Sequence, residues 1–334
     1  MKERPKIICL TPVKNEAWIL ERFLRLASLW ADHIIIADQM STDGSREIAT
    51  QFEKVILIDN ASKAFNEPER QKLLIAEARK ISGPKLLITL DADECFTPNY
   101  ASSLEWETML TAKPGTIFKF QMVHFQPDLR NMRYDIHYNW GYMDDGANHE
   151  GQKIHSTRIP LPKDNPTIAL NAIKIIHFQF TDWERMKSKH RWYQCHERIN
   201  FLKKSSIAIY RMYHQIYSFQ KEHYAPIPQA WFEDYEKLGI DISSVYCEGK
   251  LFWDREILNF FDQYGASYFK REAIWDVDWR DKARLYGKVN PEAYKDPRTK
   301  LYKKIQTYLA KTQPVKNKFI VRQVDKWIKI LLRY

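Results

Sequence analysis

Through its first hundred residues the chain alternates short apolar runs with stretches of helical period. Residues 6–10, 33–37, 55–58 and 85–90 have the length and composition of strands buried on both faces. Between the first two, Asn15 sits as a helix cap, and Trp18, Ile19, Phe23, Leu24 and Leu26 give residues 16–29 an apolar face. Turn chemistry at Ser41-Thr42-Asp43-Gly44-Ser45 leads into a short helix near 46–52, and residues 68–81 carry a third helical pattern. Three strand–helix repeats closed by a fourth strand predict a parallel, doubly wound sheet with right-handed crossovers. Ligands of such sheets bind outside the carboxyl ends of the strands. The polar clusters Thr11–Glu16, Asp38 and Asp91–Asp93 all fall there.

The pattern is less regular downstream. Residues 116–125 and 172–180 read as strands, the second carrying His177, and residues 126–166 read as loop with several aromatics. A charged and aromatic helical stretch follows over 181–217, and beyond Pro226 the chain is mixed. This predicts a catalytic α/β domain over 1–225 and a mainly helical extension over 226–334.

Composition narrows the classes. With 44% hydrophobic and 28% charged residues among 334, the chain is an ordinary globular sequence. No apolar run reaches the ~20 residues of a spanning helix, and no secretory signal is read at the polar start. Cys9, Cys95, Cys195 and Cys247 lack paired spacing, which predicts a reduced, cytoplasmic setting. The net charge of +10 is concentrated: residues 300–334 carry ten Lys or Arg and one acid, Asp325, leaving the rest at +1. That distribution, without a recognition motif, excludes nucleic acid as the expected partner.

The chemistry centres on Leu90-Asp91-Ala92-Asp93-Glu94. Residues two apart on an extended chain face the same way, so Asp91 and Asp93 emerge together at a strand's end. Oxygen donors so placed suit Mn²⁺ or Mg²⁺ held against phosphate. Neither a G-x-G-x-x-G nor a Walker A loop follows the first strand. Together with Thr11-Pro12-Val13-Lys14-Asn15-Glu16, Asp38, the Ser41–Ser45 turn and Arg70, this constellation resembles the family 2 glycosyltransferases, of GT-A fold. The resemblance implies an α/β fold with a Rossmann-like, mostly parallel sheet flanked by helices and a helical C-terminal extension. It implies an inverting glycosyltransferase of hexosyltransferase type, moving sugar from a nucleotide diphosphate sugar, UDP-sugar favoured, to a glycan or lipid-linked acceptor in cell-envelope polysaccharide synthesis. Pro12, Glu16, Asp38 and Arg70 would surround base and ribose. Asp91 would lie by the ribose and diphosphate, and Asp93, joined by His177, would hold the metal. The general base such a reaction needs is expected in the acidic loop after Trp140, at Asp145 or Glu150; Arg158 is a candidate contact for phosphate or acceptor. Two other readings compete: a haloacid-dehalogenase-type phosphatase, whose D-x-D usually opens the chain, and a non-catalytic glycan- or membrane-binding module.

The tail adds a separate expectation. On a helical wheel over 315–333, Ile320, Val324, Trp327, Ile328 and Leu331 share one side. Lys318, Arg322, Lys326, Lys329 and Arg333 form a stripe almost opposite. Such a helix either packs on its own protein with a solvated basic stripe or lies on the anionic inner face of a membrane.

Overall fold

The computed structural model describes residues 3–62, 66–152, 156–219, 223–246, 249–332 and 334. They form two compact units, Met1–Asp182 with Tyr224–Tyr246, and Trp183–His223 with Cys247–Tyr334. The division differs from the expected break at 225/226. The helices after Asp182 share a core with later helices, and a short returning segment rejoins the first unit. Cys9, Cys95 and Cys195 are buried free thiols; Cys247 lies outside the described residues.

The first unit opens as the hydrophobic pattern predicts: β1 (Lys6–Val13), α1 (Ala17–Ser28), β2 (His33–Asp38), α2 (Ser45–Ala49), β3 (Val55–Asp59), α3 (Glu67–Arg79) and β4 (Lys85–Thr89). β1 runs three residues further than the apolar run, through Thr11 and Pro12, and pairs in parallel with β2 up to Val13 opposite Asp38. Alternation explains the two covered faces. Ile7, Cys9, Ile34, Ile36, Leu86 and Ile88 pack on the α1 side, while Ile8, Leu10, Ile35 and Leu87 join Leu74 and Ile75 of α3 on the other.

β5 (Glu94–Phe96), α4 (Leu104–Thr111), β6 (Ile117–Phe125), β7 (Asn131–Met143) and β8 (Thr167–His177) follow. The strand order is β3-β2-β1-β4-β7-β6-β8-β5, with β7 antiparallel to β4 and β6, and β6 parallel to β8. The sheet is thus parallel around β1 and mixed beyond β4. β7 is the principal departure from the sequence reading, which placed loop over 126–166. After α5 (Trp183–Asn200) and α6 (Ser206–Tyr213) of the second unit, β9 (Tyr224–Pro226) adds to β7 and α7 (Gln229–Glu236) packs on the first unit's core.

The second unit is helical among its described residues. It holds α5, α6, α8 (Phe252–Tyr264), α9 (Trp279–Leu285), α10 (Lys300–Thr312) and α11 (Phe319–Leu332). One core gathers Trp192, Phe261, Phe269, Trp275 and Trp279; another joins Ile207 and Tyr210 to Ile305, Leu309 and Tyr334. No helix among the described residues is long and apolar enough to cross a membrane.

Candidate active site

The carboxyl ends of β1, β2, β4, β6 and β8 form one rim, built first by the loops after β1 and β2. Asn15 takes a left-handed φ of 56°. Its N–H donates to Ser41 Oγ, and its side-chain oxygen accepts from Thr42 N. The N–H groups of Glu16 and Ala17 reach Ser45 Oγ and Asp43 Oδ2, both at 2.9 Å. The orphan donors that open α1 are therefore satisfied by the neighbouring loop, and the cap residue is Glu16 rather than Asn15. Glu16 Oε2 accepts from Trp18 Nε1 at 2.6 Å. Pro12 is buried in β1 beside Ala37.

Asp38 closes β2 and is buried. Its Oδ2 accepts from Ser41 N at 3.0 Å and Arg46 Nη1 at 2.8 Å, while its buried Oδ1 has no hydrogen-bond partner. Arg70 sits in the first turn of α3, which Asn66 caps; the buried Arg70 Nε is likewise without a hydrogen bond. An acceptor and a donor of unused capacity thus stand at the ends of β2 and β3.

At β4 the two aspartates have different surroundings. Asp91 Oδ2 receives Arg158 Nη2 at 2.6 Å, and Arg158 Nη1 reaches Glu94 Oε2 at 2.6 Å. Glu94 is buried and also accepts from Asp91 N. Burial pushes the Glu94 carboxyl up, against the pull of Arg158. Burial would lower the guanidinium of Arg158, but Asp91 and Glu94 outweigh it and raise it. The guanidinium lies 4.3 Å from the ring centre of Trp140, on which Tyr138 stacks at 4.8 Å.

Asp93 faces His177 instead, with Oδ2 3.3 Å from Nε2. The pairing of β5 with β8 sets Glu94 opposite His177 and so brings the histidine to the D-x-D. Burial would lower His177, yet Asp93, Glu94 and Asp91 raise it. One oxygen and one nitrogen converge here, and the buried His177 Nδ1 has no hydrogen-bond partner. No group of three or more metal-ligating side chains occurs among the described residues. The pair fits a divalent cation whose other positions are left to substrate oxygens.

Beyond His177 lies a second pair that the sequence reading missed. His124, the penultimate residue of β6, is in register with His177, their ring centres 5.1 Å apart. His124 Nε2 bonds Asp135 Oδ2 at 2.9 Å, and Arg133 approaches the same oxygen at 3.4 Å. Burial brings His124 down to about 4, and the hydrogen bond from His124 holds Asp135 well below the usual carboxylate range.

Asp145 does not join this rim. β7 runs against β4, so Met143 pairs with Leu86 and Asp144 N bonds Lys85 O at the start of β4. The five residues of β4 then separate Asp145 from Asp91, roughly 16 Å along the strand. Asp145 accepts from Tyr142 Oη and Ala147 N. Burial would raise its pKa, but these bonds and one from Asn165 keep it low. Glu150 lies with Asn148 and His149 against Lys72, Ile75 and Arg79 of α3. It is linked toward Arg158 only through its carbonyl, which accepts from Thr157 Oγ1. The strand direction of β7 places Asp145 at the end of β4 away from Asp91.

The mixed α/β sheet, flanked by helices and with its polar residues at the strand ends, is consistent with the GT-A fold. Residues 8–159 match the family described as Glycosyl transferase family 2. The match takes in every rim residue described above except His177, and over that span the resemblance read from the sequence stands and supports a glycosyltransferase. No curated protein matches the chain. Among solved structures, residues 1–349 of S. aureus TarS are 9% identical, aligned over 96% of this chain and 91% of that one, with a TM-score of 0.36. Glucosyl-3-phosphoglycerate synthase from Mycobacterium tuberculosis, in complex with Mg²⁺ and uridine diphosphate, is 18% identical over 36% of this chain and 44% of its own, with a TM-score of 0.26. HddC from Yersinia pseudotuberculosis is 12% identical over 52% and 93%, with a TM-score of 0.31. The chain spans about half the length of the synthases it matches, 44% here and 48% for a 4-diphosphocytidyl-2C-methyl-D-erythritol synthase.

Proposed function

We propose that the protein is an inverting glycosyltransferase using a nucleoside diphosphate sugar, UDP-linked by preference. The observation that carries this reading is the Asp93–His177 pair, set at the same rim as the buried Asp38 Oδ1 and Arg70 Nε, neither of which has a hydrogen-bond partner. Pro12, Glu16, Asp38 and Arg70 hold base and ribose, Asp38 Oδ1 accepting an N–H or O–H. Asp91, oriented by Arg158, faces the ribose and diphosphate. Asp93 and His177 would hold Mn²⁺ or Mg²⁺, which would supply positive charge against the departing diphosphate.

The acceptor hydroxyl attacks the anomeric carbon as the bond to the diphosphate oxygen breaks, and its proton passes to a carboxylate. Asp135 takes this role in place of Asp145 and Glu150. It stays ionised, and it is a quarter exposed beside His124, whose ring neighbours His177. Tyr138, half-buried and stacked on Trp140, offers a flat face for a sugar ring of a glycan or lipid-linked acceptor. The phosphatase alternative would use Asp91 as nucleophile, yet one of its oxygens is engaged by Arg158.

Thermal shift with UDP-, GDP- and dTDP-sugars, with and without Mn²⁺, tests the donor reading. A metal-dependent upward shift for one nucleotide is expected, lost in Asp93→Asn and His177→Ala. Transfer retained in EDTA would remove the metal from the reading. Asp135→Asn should keep the donor shift and slow transfer by roughly 10²–10⁴-fold, while Asp145→Asn and Glu150→Gln turn over normally. Normal turnover by Asp135→Asn would place the base elsewhere.

A further inference from the structure

The wheel of α11 carries three sectors rather than two. Ile328 and Leu332 turn inward onto the core formed with α6 and α10, and Val321 is buried. Asp325, the single acid of the tail, also turns inward, to Arg211 Nη2 at 3.0 Å and Tyr308 Oη at 3.1 Å. The second sector is apolar and uncovered: Phe319 and Ile320 are each 74% exposed, Leu331 70%, Trp327 60% and Ile330 59%. Lys318, Arg322, Lys326 and Lys329 make the third, which borders the uncovered apolar sector along one edge. The expected packing on the protein's own core is therefore met by one face of the helix, and a second apolar face remains. Arg333 lies outside the described residues.

We propose that α11 is an interfacial helix that lays its outward apolar face on an anionic lipid surface. Five large side chains offer several hundred Å² of apolar area, at or above the largest patch usual on a monomer. Charge complementarity selects the occupant. The tail's acid is neutralised inside, and the outward charges of α11 are all positive, on stems long enough to reach headgroups beside a buried apolar face. Trp327 is the residue type that settles at headgroup depth. The contact is independent of the transfer reaction, although a lipid-linked acceptor would be met at the same surface.

Co-sedimentation of the full chain with phosphatidylcholine vesicles, with and without phosphatidylglycerol, is the test. Binding is expected only to the anionic vesicles and should fall at least about 10-fold in high salt. The pair Trp327→Glu and Leu331→Glu, both on exposed positions, should abolish binding and leave melting and donor-induced shifts unchanged. Replacing Arg322, Lys326 and Lys329 by Gln should weaken binding about 100-fold. Failure of the wild type to bind at low salt would overturn the proposal, as would binding insensitive to the Glu pair. So would an oligomer that the Glu pair dissociates in a protein that ignores vesicles, for the apolar face would then belong to a second copy of the chain.

Discussion

Arg158 is a single cation between two acids of the same motif, and its place determines how the aspartates divide their work. Its bonds to Asp91 and Glu94 leave Asp93 to His177. Removing one partner of a buried ion pair leaves an uncompensated charge, at a cost of about 3–5 kcal/mol. Arg158→Met should therefore lower the unfolding free energy read from urea titration by that much, because Glu94 is fully enclosed. Adding Glu94→Gln should restore part of the loss, since the stranded carboxylate disappears with it. A single variant as stable as wild type would mean that Glu94 is held neutral. Arg158→Lys should also fall short, because a point charge cannot bond both carboxylates with the fork geometry of a guanidinium.

At the scale of elements, the loop after β2 works as the cap of α1. Gly44 holds φ at 98°, and a Cβ placed there meets nothing within 4 Å. Gly44→Ala should consequently cost about 1–2 kcal/mol from backbone conformation alone. Asp43→Ala removes the acceptor for Ala17 N, for about 1 kcal/mol. It should also weaken donor binding, because Glu16 opens the same helix; melting curves and a donor titration on one sample read both effects. The legibility of the sequence divides at this scale too. β1 to β4 were readable because strands buried on both faces appear as unbroken apolar runs. β7 was not, since its alternation of Met132, Tyr134, Ile136, Tyr138, Trp140 and Tyr142 with polar residues is carried by aromatics amid charge, with Tyr134 and Ile136 exposed. Period two was the available signal. Missing that strand reversed the end of the sheet to which Asp145 belongs, and hid Asp135 altogether. Asp93 and His177 needed no such step, because each follows a recognisable apolar run.

The whole molecule consists of two units with separate hydrophobic cores, and in the helical one two buried histidines bear on the response to acid. His190 Nδ1 donates to Tyr213 O at 3.0 Å, and His214 Nδ1 to Tyr210 O at 3.0 Å, with the His214 ring stacked on Tyr210. Burial brings both imidazoles down to about 4, with Lys189 lowering His190 further, while Asp276 opposes the fall at His214. Unfolded histidine titrates near 6.5, so between about 6.5 and 4 the unfolded state binds the extra protons. Stability from these two groups is then complete above about 6.5 and declines as pH falls, by up to about 1.4 kcal/mol per pH unit for each imidazole. Glu272, buried in the same unit and raised by that burial, works in the opposite sense as it gains its proton. Comparison with His190→Gln and His214→Gln isolates the imidazole contribution, since Glu272 is common to all three proteins. Urea unfolding from pH 7 to pH 4.5, followed at each pH, should show the wild type losing stability more steeply than either variant. Parallel profiles would mean that the two rings gain protons freely in the folded chain, and that acid sensitivity arises elsewhere.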